Sequence, residues 1–206
     1  MQYRGAGSGL SKLDYAKYLA AAVSWMLIEQ QDAAGLVAFD SAVVETLPPR
    51  ASTPHFRALC ASLEKLRGGP RTDLGAVLHR AAGEIDRRGL VAVFSDFVDE
   101  PERIMAGLQH LAFRGHELVA FHVIDGDERS FPFRGTVAFD DLEGGGRLTC
   151  DAGDLRASYL AAFAAHGERL SAGCRSMRVD YVPVDTRERL DVTLTAYLNS
   201  RARRPR

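Results

Sequence analysis

Apolar residues first recur at helical spacing at Ala16, Leu19, Ala20, Val23, Met26 and Leu27, behind Ser11 and Asp14, a pair resembling a capping box. Tyr15, Tyr18 and Trp25 add apolar surface on another side, so this helix is expected to be more than half buried. Ala34 to Phe39 reads as a short strand and Val43 to Leu47 as its antiparallel hairpin partner, stopped by Pro48-Pro49. Thr53-Pro54 opens a second helix with the stripe Phe56, Leu59, Cys60, Leu63 and Leu66, ended by Gly68-Gly69. Asp73 caps a third, with the stripe Leu74, Val77, Leu78, Ala81 and Ile85. Leu90 to Phe94 is a continuous apolar run, the pattern of a strand covered on both faces.

The alternation continues. Asp99 and Pro101 open a helix through Ile104, Leu108 and Leu111, and Leu118 to Ile124 is another buried strand. Residues 126–153 break the rhythm, with Thr136 to Phe139 and Arg147 to Cys150 flanking a glycine run as a small hairpin. Leu155, Tyr159, Phe163, His166, Leu170, Cys174 and Met177 mark a long helix. Val179 to Val184 is the last strand, and Pro183, which lacks a ladder donor, places it at a sheet edge. Leu190, Leu194, Tyr197 and Leu198 mark the final helix. Strands alternating with helices imply a mainly parallel α/β sheet covered on both faces.

Composition narrows function more than fold. The chain has 206 residues, long enough for one large core, and a formal net charge of -1, which favours neither nucleic acid nor an anionic membrane. Only the tail 201–206 is strongly basic, and it reads as a disordered end. Cys60, Cys150 and Cys174 are far apart and odd in number, which argues against a disulfide framework or a zinc site and fits a reducing cytoplasm. No stretch approaches the ~20 apolar residues of a membrane-spanning helix.

Candidate chemistry collects at strand ends, where open α/β sheets bind ligands. Asp96 follows the strand 90–95, beside Ser95, and Thr72 opens a helix after a glycine turn. Carboxylate and hydroxyl are the oxygen ligands a hard cation such as Mg²⁺ takes. Other groups have plainer readings. Gly5-Ala6-Gly7-Ser8-Gly9 is expected to be a flexible loop, since it lacks the lysine of a phosphate loop. Asp125, Asp127 and Glu128 read as a solvated turn. His55, His79, His110, His116, His122 and His166 show neither HExxH nor a close pair, and His166 reads as a hydrogen-bonded core imidazole. No Gly-x-Ser-x-Gly elbow is present.

Leu36-Val37-Ala38-Phe39-Asp40, the turn Gly68-Gly69-Pro70-Arg71-Thr72-Asp73-Leu74, and Val91-Ala92-Val93-Phe94-Ser95-Asp96-Phe97 occur in an order and spacing that resemble the von Willebrand factor A-like domain of the bacterial DUF58 family. The resemblance covers nearly the whole chain. It implies a three-layer, mainly parallel Rossmann-like sheet with one antiparallel edge strand, over residues 1–200. It further implies a metal-ion-dependent adhesion site, with Thr72 and Asp96 on the positions of the loop Thr and the second Asp. Asp40 and Asp73 would share that rim without being direct ligands. The family's first strand, with its Asp-x-Ser-x-Ser motif, would end at Met1, so the central strand and most metal ligands are expected to be missing. Mg²⁺ binding is then expected to be weak or absent.

A central strand missing between 34–40 and 90–95 would leave a gap, a direct pairing of those two, or an intermolecular strand, and so a tendency to self-associate. The implied function is a non-enzymatic protein-interaction domain that assists a MoxR-type AAA+ ATPase in assembling or activating another complex. The alternative is a metal-assisted phosphohydrolase that uses Asp96 at the same rim.

Overall fold

The computed structural model describes residues 1–40, 42–69, 73–140 and 146–202. It is a mixed α/β structure with the order α1 (Lys12–Glu29), β1 (Ala34–Phe39), β2 (Val43–Arg50), α2 (Thr53–Lys65), α3 (Leu74–Glu84), β3 (Leu90–Ser95), α4 (Pro101–Phe113), β4 (Glu117–Ile124), α5 (Gly126–Ser130), β5 (Thr136–Asp140), β6 (Arg147–Asp151), α6 (Ala152–Ser176), β7 (Asp180–Asp185) and α7 (Leu190–Ala202). Helix starts fall at or within a residue of the expected positions, with Ser52 rather than Thr53 capping α2 and Glu100 at the N-cap of α4 without a side-chain bond. The hydroxyl of Ser11 accepts from Asp14 N, Ser52 accepts from His55 N ahead of Pro54, and Asp73 accepts from Ala76 N. α7 runs on to Ala202, and the Arg201 guanidinium, within the expected basic tail, donates to the Glu117 carboxylate at 2.5 Å. Residues 203–206 lie outside the described residues.

The parallel sheet has the order β3-β4-β7. Its register pairs Leu90 with Glu117 and Ser95 with His122, then Val119 with Asp180 and Ile124 with Asp185. β7 is an edge strand, and Pro183 lies in it without breaking a central ladder. β1 and β2 form a separate antiparallel hairpin, and β5 and β6 another. The expected parallel set of four is therefore three, because β1 pairs only with β2 among the described strands. Among the described strands β3 likewise has a partner only on its β4 side, and several of its residues are half-exposed instead of covered on both faces. β4, with neighbours on both sides, is buried along all but its first residue.

Two apolar layers sandwich the parallel sheet. On one face Leu74, Leu78, Ile104, Leu108, Leu111 and Leu170 pack against Val93, Leu118 and Ala120. On the other, Tyr15, Leu19 and Tyr197 pack against Val119, Phe121 and Val123. α1 touches β1, β3 and β4, so it lies across the β1–β2 hairpin and the parallel sheet. Only Tyr18, Trp25 and Glu29 of α1 are exposed, as its two-sided apolar pattern implies.

α3 and α4 approach closely at two glycines. A Cβ on Gly107 would stand 2.6 Å from Leu78 Cβ, and one on Gly75 would stand 3.0 Å from the Arg103 carbonyl oxygen. Gly107→Ala is therefore expected to lower stability by about 1–3 kcal/mol through overpacking, despite alanine's better helix propensity. Urea unfolding of the variant checks this, and an unchanged midpoint would refute it.

Candidate functional site

The carboxyl ends of β3, β4 and β7 deliver Asp96, Asp125 and Asp185 to one rim. The segment Met1–Ser8 crosses this rim and is hydrogen-bonded along most of its length. The Met1 amino group donates to Asp96 Oδ2 at 2.9 Å, Gln2 Nε2 to the Gly68 carbonyl at 2.8 Å, Tyr3 Oη to Asp127 Oδ2 at 2.9 Å, and Gly5 N to Asp125 Oδ2 at 3.0 Å. Its carbonyls also satisfy the first turn of α1, with Lys12 N bonded to Tyr3 O and Leu13 N to Met1 O.

Asp125 is the hub. Its carboxylate is 0% exposed and accepts from Gly5 N, Ser8 Oγ, Thr186 Oγ1 and Asp127 N. Burial alone would raise its pKa, but these donors outweigh it and hold the group below the usual carboxylate range. A capping box closes the turn, with Glu128 Oε2 accepting from Asp125 N at 2.7 Å. Two expectations are corrected here together. Asp125 is not part of a solvated turn, and the glycine stretch is not free, since Gly5 and Ser8 are buried against it. A side chain at position 5 would overlap the Asp125 carboxylate, which explains the glycine.

Asp96 sits where the sequence places it, just past β3 and mostly buried. Lys12, on the first turn of α1, points into the same space with its side chain 4% exposed. Its ammonium is 3.1 Å from Asp96 Oδ2 and 2.7 Å from Glu128 Oε1. Burial works against charge on both partners. For Asp96 it is outweighed by the Lys12 and Met1 ammonium groups, and the pKa falls; for Lys12 it is outweighed by Asp96 and Glu128, and the pKa rises. The positional signal for Asp96 was readable in the sequence, whereas nothing in the local pattern around Lys12 marks it as the partner.

Behind Asp96 lies a polar seam through the core. His122 on β4 is hydrogen-bonded through Nδ1 to Tyr181 Oη on β7. Burial pushes its pKa down to about 4, against the pull of Asp96 and with help from His166 and Lys12. His166 Nε2 bonds the Phe97 carbonyl at 2.9 Å, as expected of a core imidazole. Phe97 adopts a left-handed backbone with φ 48° while its ring is 1% exposed, so packing holds that conformation.

A Mg²⁺ ion at this rim would need oxygen ligands from these residues. Thr72 lies outside the described residues. Asp73 caps α3 and pairs with Arg103, and Asp40 accepts from Ala42 N. Among the described residues no three His, Cys, Asp or Glu side chains converge as a metal-binding group. One Asp96 oxygen is already paired with the buried Lys12 ammonium at 3.1 Å. The described rim does not fit a divalent cation, which needs several free oxygen ligands. Elsewhere, His79 and His110 do form a close pair, contrary to expectation, because α3 and α4 bring together positions 31 residues apart.

The family described as "Protein of unknown function DUF58" matches residues 2–169. Uncharacterized proteins of Mycobacterium bovis and Mycobacterium tuberculosis are 28% identical over 160 residues, or 75% of this chain and 50% of theirs. The chain thus spans about half the length of the curated relatives it matches. Two solved structures share the fold at low identity. The conserved hypothetical protein BatB from Bacteroides thetaiotaomicron has a TM-score of 0.55 at 16% identity, covering 95% of this chain and 89% of its own. An aerotolerance-related membrane protein from Bacteroides fragilis has a TM-score of 0.56 at 18% identity, covering 95% and 91%. No helix among the described residues is long and apolar enough to cross a membrane.

Proposed function

This chain belongs to the DUF58 family, and from that premise we propose that it is a non-enzymatic protein-interaction domain of the von Willebrand factor A type, with an ammonium in place of the cation at its rim. The observation that carries this reading is Lys12 Nζ lying 3.1 Å from Asp96 Oδ2. A fixed lysine supplies the positive charge without an exchangeable coordination position. Recognition of a partner then rests on the surface of the rim, and metal is not needed.

The separation of the β1–β2 hairpin from β3 supports the same reading. The edges of β1 and β3 that are unpaired among the described strands would also favour self-association. Within this reading the partner is a MoxR-type AAA+ ATPase in the cytoplasm, and the role is assembly or activation of a further complex.

The test is binding of this chain to a nucleotide-free MoxR-type ATPase, by interferometry, in Mg²⁺ and in EDTA. Equal binding in both is expected. Absence of binding in both would refute the partner, and binding only in Mg²⁺ would refute the ammonium substitution. Mg²⁺-dependent turnover of a phosphoester, lost in Asp96→Ala, would establish the phosphohydrolase instead.

A further inference from the structure

Two histidines stand together where α3 and α4 cross. The glycine contact described above, Gly75 and Leu78 against Arg103 and Gly107, clamps the two backbones with little freedom to slide. One helical turn beyond it, His79 lies four residues after Gly75 and His110 three after Gly107, each on the face toward the other helix. Their Nδ1 atoms are 3.1 Å apart, with ring centroids at 5.3 Å and planes inclined by 48°.

We propose that His79 and His110 form a binding site for a first-row divalent transition ion of the Cu²⁺ or Zn²⁺ class. Imidazole nitrogens hold such ions at roughly 2.0–2.1 Å. Two of them sharing one ion at an angle of about 90–110° stand roughly 2.9–3.4 Å apart. The observed 3.1 Å falls within that span. In the ion-free state one ring must donate its Nδ1 proton to the other. When the ion enters between them, that proton moves through solvent to the same ring's Nε2, and both Nδ1 lone pairs face the ion. No net proton is released. Ring torsions of histidine are broad, so the small rotations required cost little.

Among the described residues no further His, Cys, Asp or Glu completes a three-ligand group with them. The remaining positions go to water, which makes this an open site that can accept an incoming ligand. Its all-nitrogen character separates it from the rim, since Mg²⁺ prefers oxygen and imidazole suits copper, zinc and nickel. The site does not depend on the interaction reading proposed above.

The experiment titrates CuCl₂ alone into the intact chain near neutral pH, followed by calorimetry and electron paramagnetic resonance. One equivalent with hyperfine coupling to two imidazole nitrogens is expected, unaffected by excess Mg²⁺. His79→Gln and His110→Gln are each expected to weaken it at least about tenfold, and the double variant to lose it. Both side chains lie at the surface, and circular dichroism with thermal unfolding verifies that the variants fold. Unchanged affinity in either single variant, or coupling to only one nitrogen, would overturn the site.

Discussion

Asp125→Ala is expected to destabilise the chain by about 3–5 kcal/mol, a large share of the roughly 5–15 kcal/mol that holds a domain of this size together. The carboxylate is 0% exposed and serves four donors from three separate parts of the chain. Its removal would strand Gly5 N and leave the Ser8 and Thr186 hydroxyls with only each other, at 2.9 Å, in a space closed to water. Hydrogen bonds to a charged group contribute about 1.5–3 kcal/mol each, but they share one acceptor and will not add fully. Asp125→Asn keeps an acceptor oxygen and should lose about half as much. Urea unfolding measures the loss, and hydrogen exchange at Gly5 and Asp127 locates it. A drop below about 1 kcal/mol, or protection at Gly5 that survives the alanine, would show that the Met1–Ser8 segment is held by something other than this hub.

Acid should weaken the fold in two stages, and the first belongs to His122. Its folded pKa is about 4, against an ordinary 6.5. As pH falls through 6.5, the unfolded chain takes up a proton that the buried imidazole refuses until about 4. The unfolded state therefore binds more protons in that window, and stability declines with falling pH. A gap of about 2.5 units corresponds to roughly 3 kcal/mol, fully present above 6.5 and gone below about 4. Asp96 and Asp125 act in the second stage, because their folded pKa values are depressed. Their contribution is present above the ordinary carboxylate value near 3.9 and is lost as pH falls below it. Urea midpoints from pH 8 to pH 4 should show the first decline. His122→Asn should be less stable at pH 8, since it loses the Tyr181 contact, yet much flatter between pH 6.5 and 4.5. A variant that keeps the native slope would assign the titration to another group.

A short acidic run after a strand and a glycine run near the start each looked solvated when taken alone. Asp125, Asp127 and Glu128 are hydrophilic, and Gly5 to Gly9 lack side chains to pack, so local statistics favour solvent for both. Brought together, the glycine backbone supplies the donors that the carboxylates need. A sequence signal did exist: Gly5 and Ser8 precede a capped helix whose first free N–H groups need acceptors. That signal does not say which part of the chain the segment will meet.

Local physics settled the elements. Burial imposes a period of 3.6 on helices and continuous apolarity on covered strands, so Leu74 to Ile85, Leu118 to Ile124 and their neighbours declare themselves within a few residues. Pro183 assigns β7 to an edge because proline cannot donate to a ladder, and Asp96 falls at a strand end by counting alone. The tertiary structure decided what those elements bring together. Gly5 meets Asp125 across 120 residues, Tyr15 meets Thr193 across 178, and His79 meets His110 across 31. It also decided that β1 does not pair with β3 among the described strands and that the Lys12 ammonium faces Asp96. Each of these depends on which polar groups share a space closed to water. Pairing there is enforced by the cost of leaving a buried charge or donor unmet, and that cost exists only after the chain has folded around it.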